Sequence, residues 1–249
     1  MIPGPDTVPA CLPYLTASIL VLGLAWRLRR WNRARAASSP LFPLSPRTRQ
    51  SAPSPALDAA RIAAEICLLR GRRAGKPAHA AWCFHFSLVL LLIGHIRAFT
   101  DFPRLWAALG LSPEVVATLA ALAGGAAGLF ALGSGLWLAG RRLVLPGLRG
   151  ITRFEDVFLL ALLLAVIASG LAMRLGRATD LESVRSYFAA LASLRPGPMP
   201  ETPGFALHFL LAQALIVVFP FGKLLHAAGI LPAKLGLGRG AVRAVSPPA

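Results

Sequence analysis

The sequence predicts an all-α membrane protein, a bundle of five transmembrane helices with its N-terminus outside and its C-terminus in the cytoplasm. Three observations carry that expectation. Hydrophobic residues make up 56% of the 249 residues and charged residues only 14%, with a mean hydropathy of +0.64. A soluble domain carries about a quarter charged residues. Second, five stretches contain no Lys, Arg, Asp or Glu: residues 7–26, 77–96, 115–140, 157–173 and 202–222. A helix crosses a bilayer with about 20 apolar residues, roughly 17 to 25 being tolerated, and the fourth stretch only just qualifies. Third, these runs are continuously apolar, without the alternation of a membrane β-barrel.

The charges set the direction. Lys plus Arg number 26 against 10 acids, a net charge of +16. High basicity alone points to nucleic acid, but combined with long apolar runs it points to membrane loops, so no nucleic-acid partner is expected. Residues 27–76 hold twelve Lys or Arg, residues 141–153 four, and residues from Lys223 onward four, whereas the two alternate loops hold two and four. By the positive-inside rule the richer loops face the cytoplasm of a bacterial or archaeal inner membrane. The first run has no Lys or Arg before it and RLRR after it, the reverse of a signal peptide. The chain therefore divides into a first helix (1–30), a basic cytoplasmic linker (31–76), a four-helix bundle (77–230) and a cytoplasmic tail (231–249). Within the linker, residues 38–56 are rich in Pro and Ser and read as extended. Residues 57–69 read as a short amphipathic helix, with Ile62, Ile66 and Leu69 on one face and Asp58, Arg61 and Glu65 on another. Such a helix rests on headgroups or docks a partner.

Within this framework the histidines stand out. His85 and His95 lie in the second run, His208 lies early in the fifth, and His226 lies just past its end, while His79 sits at the boundary as a solvated residue. Ionisable residues at membrane depth are costly and functional by default. One such histidine is as well explained by a hydrogen bond to a neighbouring helix. Four on two antiparallel helices instead form pairs: His95 with His208 near the outside, and His85 with His226 near the cytoplasm. Eighteen residues are five helical turns, so His208 and His226 share a face if that helix stays regular. The ~12 Å difference in vertical spacing between the two helices is absorbed by tilt, ligand reach and a kink expected at Pro220. Facing imidazoles in an apolar bundle suit haem b held at both axial positions, which leaves iron fit for electron transfer rather than oxygen chemistry. Zinc fits less well, because no Cys or carboxylate sits near enough in sequence to complete a tetrahedron. Cys11, Cys67 and Cys83 form neither a disulfide framework nor a covalent haem motif.

Gly94 would let a flat macrocycle approach the second helix, and the third contains Gly124, Gly125, Gly128, Gly133 and Gly135. The G-x-x-x-G at Gly124 and Gly128 reads first as ordinary close helix packing. Arg97 and Arg174, at the outer ends of the second and fourth helices, could neutralise haem propionates or act as snorkelling anchors.

The stretches HFSLVLLLIGHIR, ITRFEDVFLLALLLAVIASGLAMR and LHFLLAQALIVVFPFGKLLH together resemble the haem b membrane subunit of respiratory nitrate reductase, the gamma subunit. They also resemble its relative in the membrane complex serving dissimilatory sulfite reductase. The His spacings of ten and eighteen match that family's ligands, PFGKLLH is similar to its P-F-S-K-x-x-H ending, and the resemblance spans roughly residues 10 to 230. It implies two stacked b haems, the outer held by His95 and His208 and the inner by His85 and His226. It also implies quinol oxidation near the outer haem, electron transfer to a cytoplasmic iron–sulfur partner, and further membrane and external subunits. The basic linker with APSPALDAARIAAE looks more like the sulfite-reductase-associated branch, whose partner resembles a heterodisulfide-reductase-type iron–sulfur protein. One departure concerns lysine. The only lysines are Lys76, Lys223 and Lys234, so none lies on the outer side, where the nitrate reductase subunit places one near its quinol. Gly94, Asp101 and Glu114 are then the candidates near quinone, the two carboxylates as proton acceptors or as solvated loop residues.

Two other classes compete with the electron-carrier reading. A metal or haem transporter would use the histidines as transient ligands, with broken helices or repeats around a midplane site. A non-redox anchor would dock soluble subunits but leave four histidines without a role.

Overall fold

A computed structural model of the chain describes residues 7–37, 76–176 and 180–225. The linker 38–56, the amphipathic segment 57–69, His226 and the tail 231–249 lie outside the described residues. The described residues are all helical or irregular, as expected. α1 spans Thr7–Ala37, α2 Lys76–His95, α3 Pro113–Val144, α4 Phe154–Leu175, α5 Leu181–Ala192 and α6 Pro203–Val218. Short helices at Pro103–Ala108 and Pro146–Arg149 sit in the connections, and 3₁₀ turns follow α2 (Ile96–Ala98) and α6 (Lys223–Leu225). Among the described residues four helices are long and apolar enough to cross a membrane, α1 to α4, and α6 is a shorter apolar helix.

The short α6 departs from the 21-residue fifth run. Proline has no N–H to donate, and its ring clashes with the carbonyl four residues back. Pro220 therefore ends the helix at Val218 instead of kinking it, and residues 219–222 turn. A regular five-turn face from His208 onward is not what forms. The Pro220 side chain is fully buried. It packs against Gly23 of α1, where a Cβ would lie 2.7 Å from the proline ring.

Packing runs in sequence: α2 on α3, α3 on α4, α4 on α6, and α6 on α1. The seam through α3 is built from small residues. Ala127, Gly128, Ala131 and Gly135 are buried there, against Leu164, Ile167 and Leu171 of α4 and Phe84 of α2. A Cβ on Gly135 would lie 2.6 Å from Leu164 and 2.8 Å from Phe84, and one on Gly128 would lie 3.1 Å from Leu171. These glycines let α3 fit between two neighbours, so the G-x-x-x-G serves helix packing. Thr16 and Gln213, both buried, hydrogen-bond across the α1–α6 interface.

Each end of the bundle has its own tie. At one end Asp156 accepts from the Arg153 amide (3.1 Å) and pairs with Lys223 (2.6 Å) and Arg142 (3.8 Å). It thereby links α3, α4 and the 3₁₀ turn after α6. At the other end α5 lays Val184, Tyr187 and Leu191 onto Phe205 and Phe209, with Tyr14, Ala98 and Met173 around them. Asp180 caps α5 by accepting from the Glu182 (3.0 Å) and Ser183 (3.2 Å) amides.

The end of α5 is a Schellman turn: the Arg195 amide donates to the Ala190 carbonyl and the Leu194 amide to the Leu191 carbonyl. Leu194 occupies its left-handed position at φ 56°, where glycine has no steric cost. Leu194 is 77% exposed, so its side chain contributes little packing. Leu194→Gly should therefore raise stability by about 1 kcal/mol, read as a higher thermal midpoint in detergent. A lower midpoint would contradict the strain.

Candidate metal centre

α2 and α6 are not among the extensively packed helix pairs; α2 packs on α3 and α6 on α4, which leaves a thinly packed seam between α2 and α6. His95, the last residue of α2, and His208, in the second turn of α6, face each other across it. Their ring centroids are 6.0 Å apart and their planes 18° from parallel. The structure thus brings together one of the two pairs expected from topology. His85 lies ten residues earlier on α2, with its ring edge-on to Phe84 at 5.7 Å.

The second nitrogen of each ring is fixed. Nδ1 of His85 lies 2.6 Å from the Ala81 carbonyl, and Nδ1 of His95 lies 2.6 Å from the Leu91 carbonyl. A carbonyl only accepts, so Nδ1 carries the proton and Nε2 of the neutral ring keeps its lone pair. His208 reaches the same state differently. Its Nδ1 is 3.0 Å from Ser169 Oγ on α4, and that hydroxyl donates its one proton to the Val166 carbonyl at 2.9 Å. Ser169 can then only accept from His208. Gly170 makes room for the ring, because a Cβ there would lie 2.9 Å from His208 Cε1 and 3.3 Å from Nδ1. Sequence reasoning missed Ser169 and Gly170; the available signal was a small polar–glycine pair inside an apolar helix.

Among the described residues, no three His, Cys, Asp or Glu side chains converge to hold a bare metal ion. The arrangement instead offers two imidazoles from different helices, their centroids 6.0 Å apart. Gly94, beside His95, has open space where a Cβ would point. Arg97 is in the 3₁₀ turn directly after His95, and among the described residues its Nε is buried without a hydrogen-bond partner. The Arg174 guanidinium lies over Gly124, 2.9 Å from where a Cβ would be.

Asp101 and Glu114 have different surroundings. Asp101 accepts from the Trp106 indole (2.9 Å) and the Phe102 amide (3.0 Å), and pairs with Arg185 at 3.2 Å. Arg185 in turn donates to the Arg97 carbonyl at 3.0 Å, so Asp101 ties α5 to the turn that follows His95. Glu114 is exposed in the first turn of α3.

The match to known proteins decides the family. The family model described as nitrate reductase gamma subunit matches residues 74–237. This chain belongs to the nitrate reductase gamma subunit family. It is a multi-pass membrane protein of the electron-transport, cytochrome b type. It is 32% identical to the Hdr-like menaquinol oxidoreductase cytochrome b-like subunit of Archaeoglobus fulgidus, over 88% of this chain and 75% of that protein. The subunit of the same name from Archaeoglobus profundus is 28% identical over the same shares. The respiratory nitrate reductase 1 gamma chain of Escherichia coli is 28% identical over 57% of this chain and 67% of that protein. Within the family, the Hdr-like subunits thus align over more of this chain.

The bond from Trp106 first, then the Phe102 amide and the cations Arg185 and Arg97, hold the Asp101 carboxyl below its ordinary value of 3.8. A lowered carboxylate contributes stability that is complete above the ordinary value and is lost as pH falls through the lowered one. The stability gap between wild type and Asp101→Asn should therefore be constant near neutral pH and close below about pH 4, followed by thermal unfolding across pH. A gap that widens on acidification would contradict the assignment.

Proposed function

We propose that this chain is the di-haem b subunit of a respiratory oxidoreductase complex, exchanging electrons between the quinone pool and a cytoplasmic iron–sulfur partner. The observation that carries the reading is the His95–His208 pair, 6.0 Å between centroids. Two imidazoles on one iron stand about 6 Å apart by centroid, since each metal–nitrogen bond is about 2 Å and each nitrogen about 1 Å from its ring centre. The residues present fit haem in three further ways. Nδ1–H of both rings is engaged, which orients the ligands and leaves Nε2 as the donor. Gly94 leaves its side of α2 open. The buried Nε of Arg97 is a donor placed for a carboxylate such as a propionate, and Arg174 is the second candidate.

Bound haem would supply one-electron redox chemistry, with His95 and His208 as residues that would hold it. The chain's residues supply ligation, orientation and a low-dielectric enclosure. His85 and His226 are assigned to the inner haem; the spacing of ten and eighteen residues and the fixed Nδ1 of His85 support this. The basic-loop asymmetry supports an N-terminus outside, placing the Asp156 tie at the cytoplasmic face and the His95–His208 pair toward the outer face. Asp101, with both carboxylate oxygens engaged, acts on this reading as a structural tie, and Glu114 is the exposed carboxylate left to accept a quinol proton.

The names of the relatives support the narrower choice of partner. The Hdr-like menaquinol oxidoreductase in the names of two relatives supports a heterodisulfide-reductase-type iron–sulfur subunit as the proposed partner, and the basic linker supports the sulfite-reductase-associated branch. A reduced-minus-oxidised spectrum of the purified chain with a haemochrome count tests the reading. Two non-covalent b haems per chain, partly reduced by a menaquinol analogue, are expected. A chain purified without haem would overturn it and favour transport or anchoring.

A further inference from the structure

His208 is unlike His85 and His95 in how its Nδ1 is held. The two histidines of α2 use the carbonyl one turn back on their own helix. His208 instead uses groups on a neighbouring helix, Ser169 Oγ of α4 at 3.0 Å and beside it the Val166 carbonyl, which also accepts from the ring. Its orientation therefore depends on the α4–α6 contact and not on α6 alone. The Ser169 hydroxyl lies 2.9 Å from the Val166 carbonyl and 3.0 Å from His208 Nδ1; with its proton given to the carbonyl, it offers the imidazole a lone pair. Gly170 removes the Cβ that would otherwise press on Cε1. Together these two adjacent residues specify which nitrogen is protonated and which way the ring faces.

We propose that Ser169 is a positioning residue that fixes the tautomer and plane of His208 through α4, and so sets the properties of the metal centre His208 shares with His95. The proposal rests on the haem reading above. A hydrogen bond accepted from Nδ1–H raises the basicity of an imidazole ligand, which favours oxidised iron. Loss of that bond should raise the midpoint potential of one haem. A neutral hydrogen bond of ordinary strength corresponds to about a fivefold change in the reduction equilibrium, or about 40 mV at 59 mV per tenfold for one electron.

The test uses the full chain, purified with its haem, as Ser169→Ala and Ser169→Thr. Ser169→Ala should keep its haem count while the midpoint of one haem rises about fivefold in equilibrium terms and its low-spin spectrum changes. Ser169→Thr, which restores the hydroxyl, should match wild type. Unchanged midpoints and spectra in Ser169→Ala would overturn the proposal. So would equal haem loss in both variants, which would mark a packing role only. Histidine ¹⁵N NMR of the haem-depleted chain separates this link from the haem reading. There His208 should be protonated at Nδ1 in wild type and lose that single tautomer in Ser169→Ala. That result in a chain unable to bind haem would support the Ser169 link while overturning the haem reading. A mixed tautomer in wild type would overturn the link itself.

Discussion

The packing of this bundle centres on two imidazoles held 6.0 Å apart between ring centroids, in a place where polar groups are costly. His95 ends α2 and His208 lies in the second turn of α6, and these helices do not pack extensively on each other. Their separation is imposed by what lies between them. α3 fits closely against α2 and α4 because Gly128, Ala131 and Gly135 present almost no side chain along one seam. α4 then carries Ser169 and Gly170 to the far ring. In lipid, apolar surface gives helices no reason to associate, so small-residue packing and interhelical hydrogen bonds have to do it. The seam and the Ser169–His208 bond are those two forces at consecutive positions.

The two ends of the bundle complete the frame. Asp156 gathers Arg142 and Lys223, so three segments that are distant in sequence meet at one buried carboxylate. At the opposite end α5 acts as a cover, sealing Phe205 and Phe209 beside His208 and, through Arg185 and Asp101, gripping the turn that follows His95. The turn after His95 and the start of α6 around His208 are thus both held by α5. On the proposed function this rigidity matters, since a ligand's orientation and its outer hydrogen bonds tune a haem's potential.

Much of this was legible in the sequence. Uncharged runs located α2 to α4 within a few residues and the start of α1, because the membrane penalises charge and the chain records that penalty directly; α1 runs on through the basic residues to Ala37. The ten-residue spacing in α2, with opposite helix directions, was enough to pair His95 with His208. The G-x-x-x-G read as packing and proved to be so at Gly128. Other features were not legible. Pro220 was expected to kink a long helix, yet it ends α6, and its ring is buried against Gly23 of α1, a contact no local pattern reveals. α5 fell in a loop with no assigned role, although Asp180 as a cap and Val184, Tyr187 and Leu191 on one face are a helix signature. Ser169 looked like one more small residue in an apolar helix; only its proximity to a residue 39 positions away gives it meaning.

The central claim is that His95 and His208 serve one shared centre. The most direct measurement is the haem-to-chain ratio of His95→Ala, His208→Ala and the double variant, all against wild type. Shared ligation predicts that each single variant loses the same haem and that the double variant loses no more than either alone. Additive loss in the double variant, or two spectrally different haems lost by the two single variants, would contradict it.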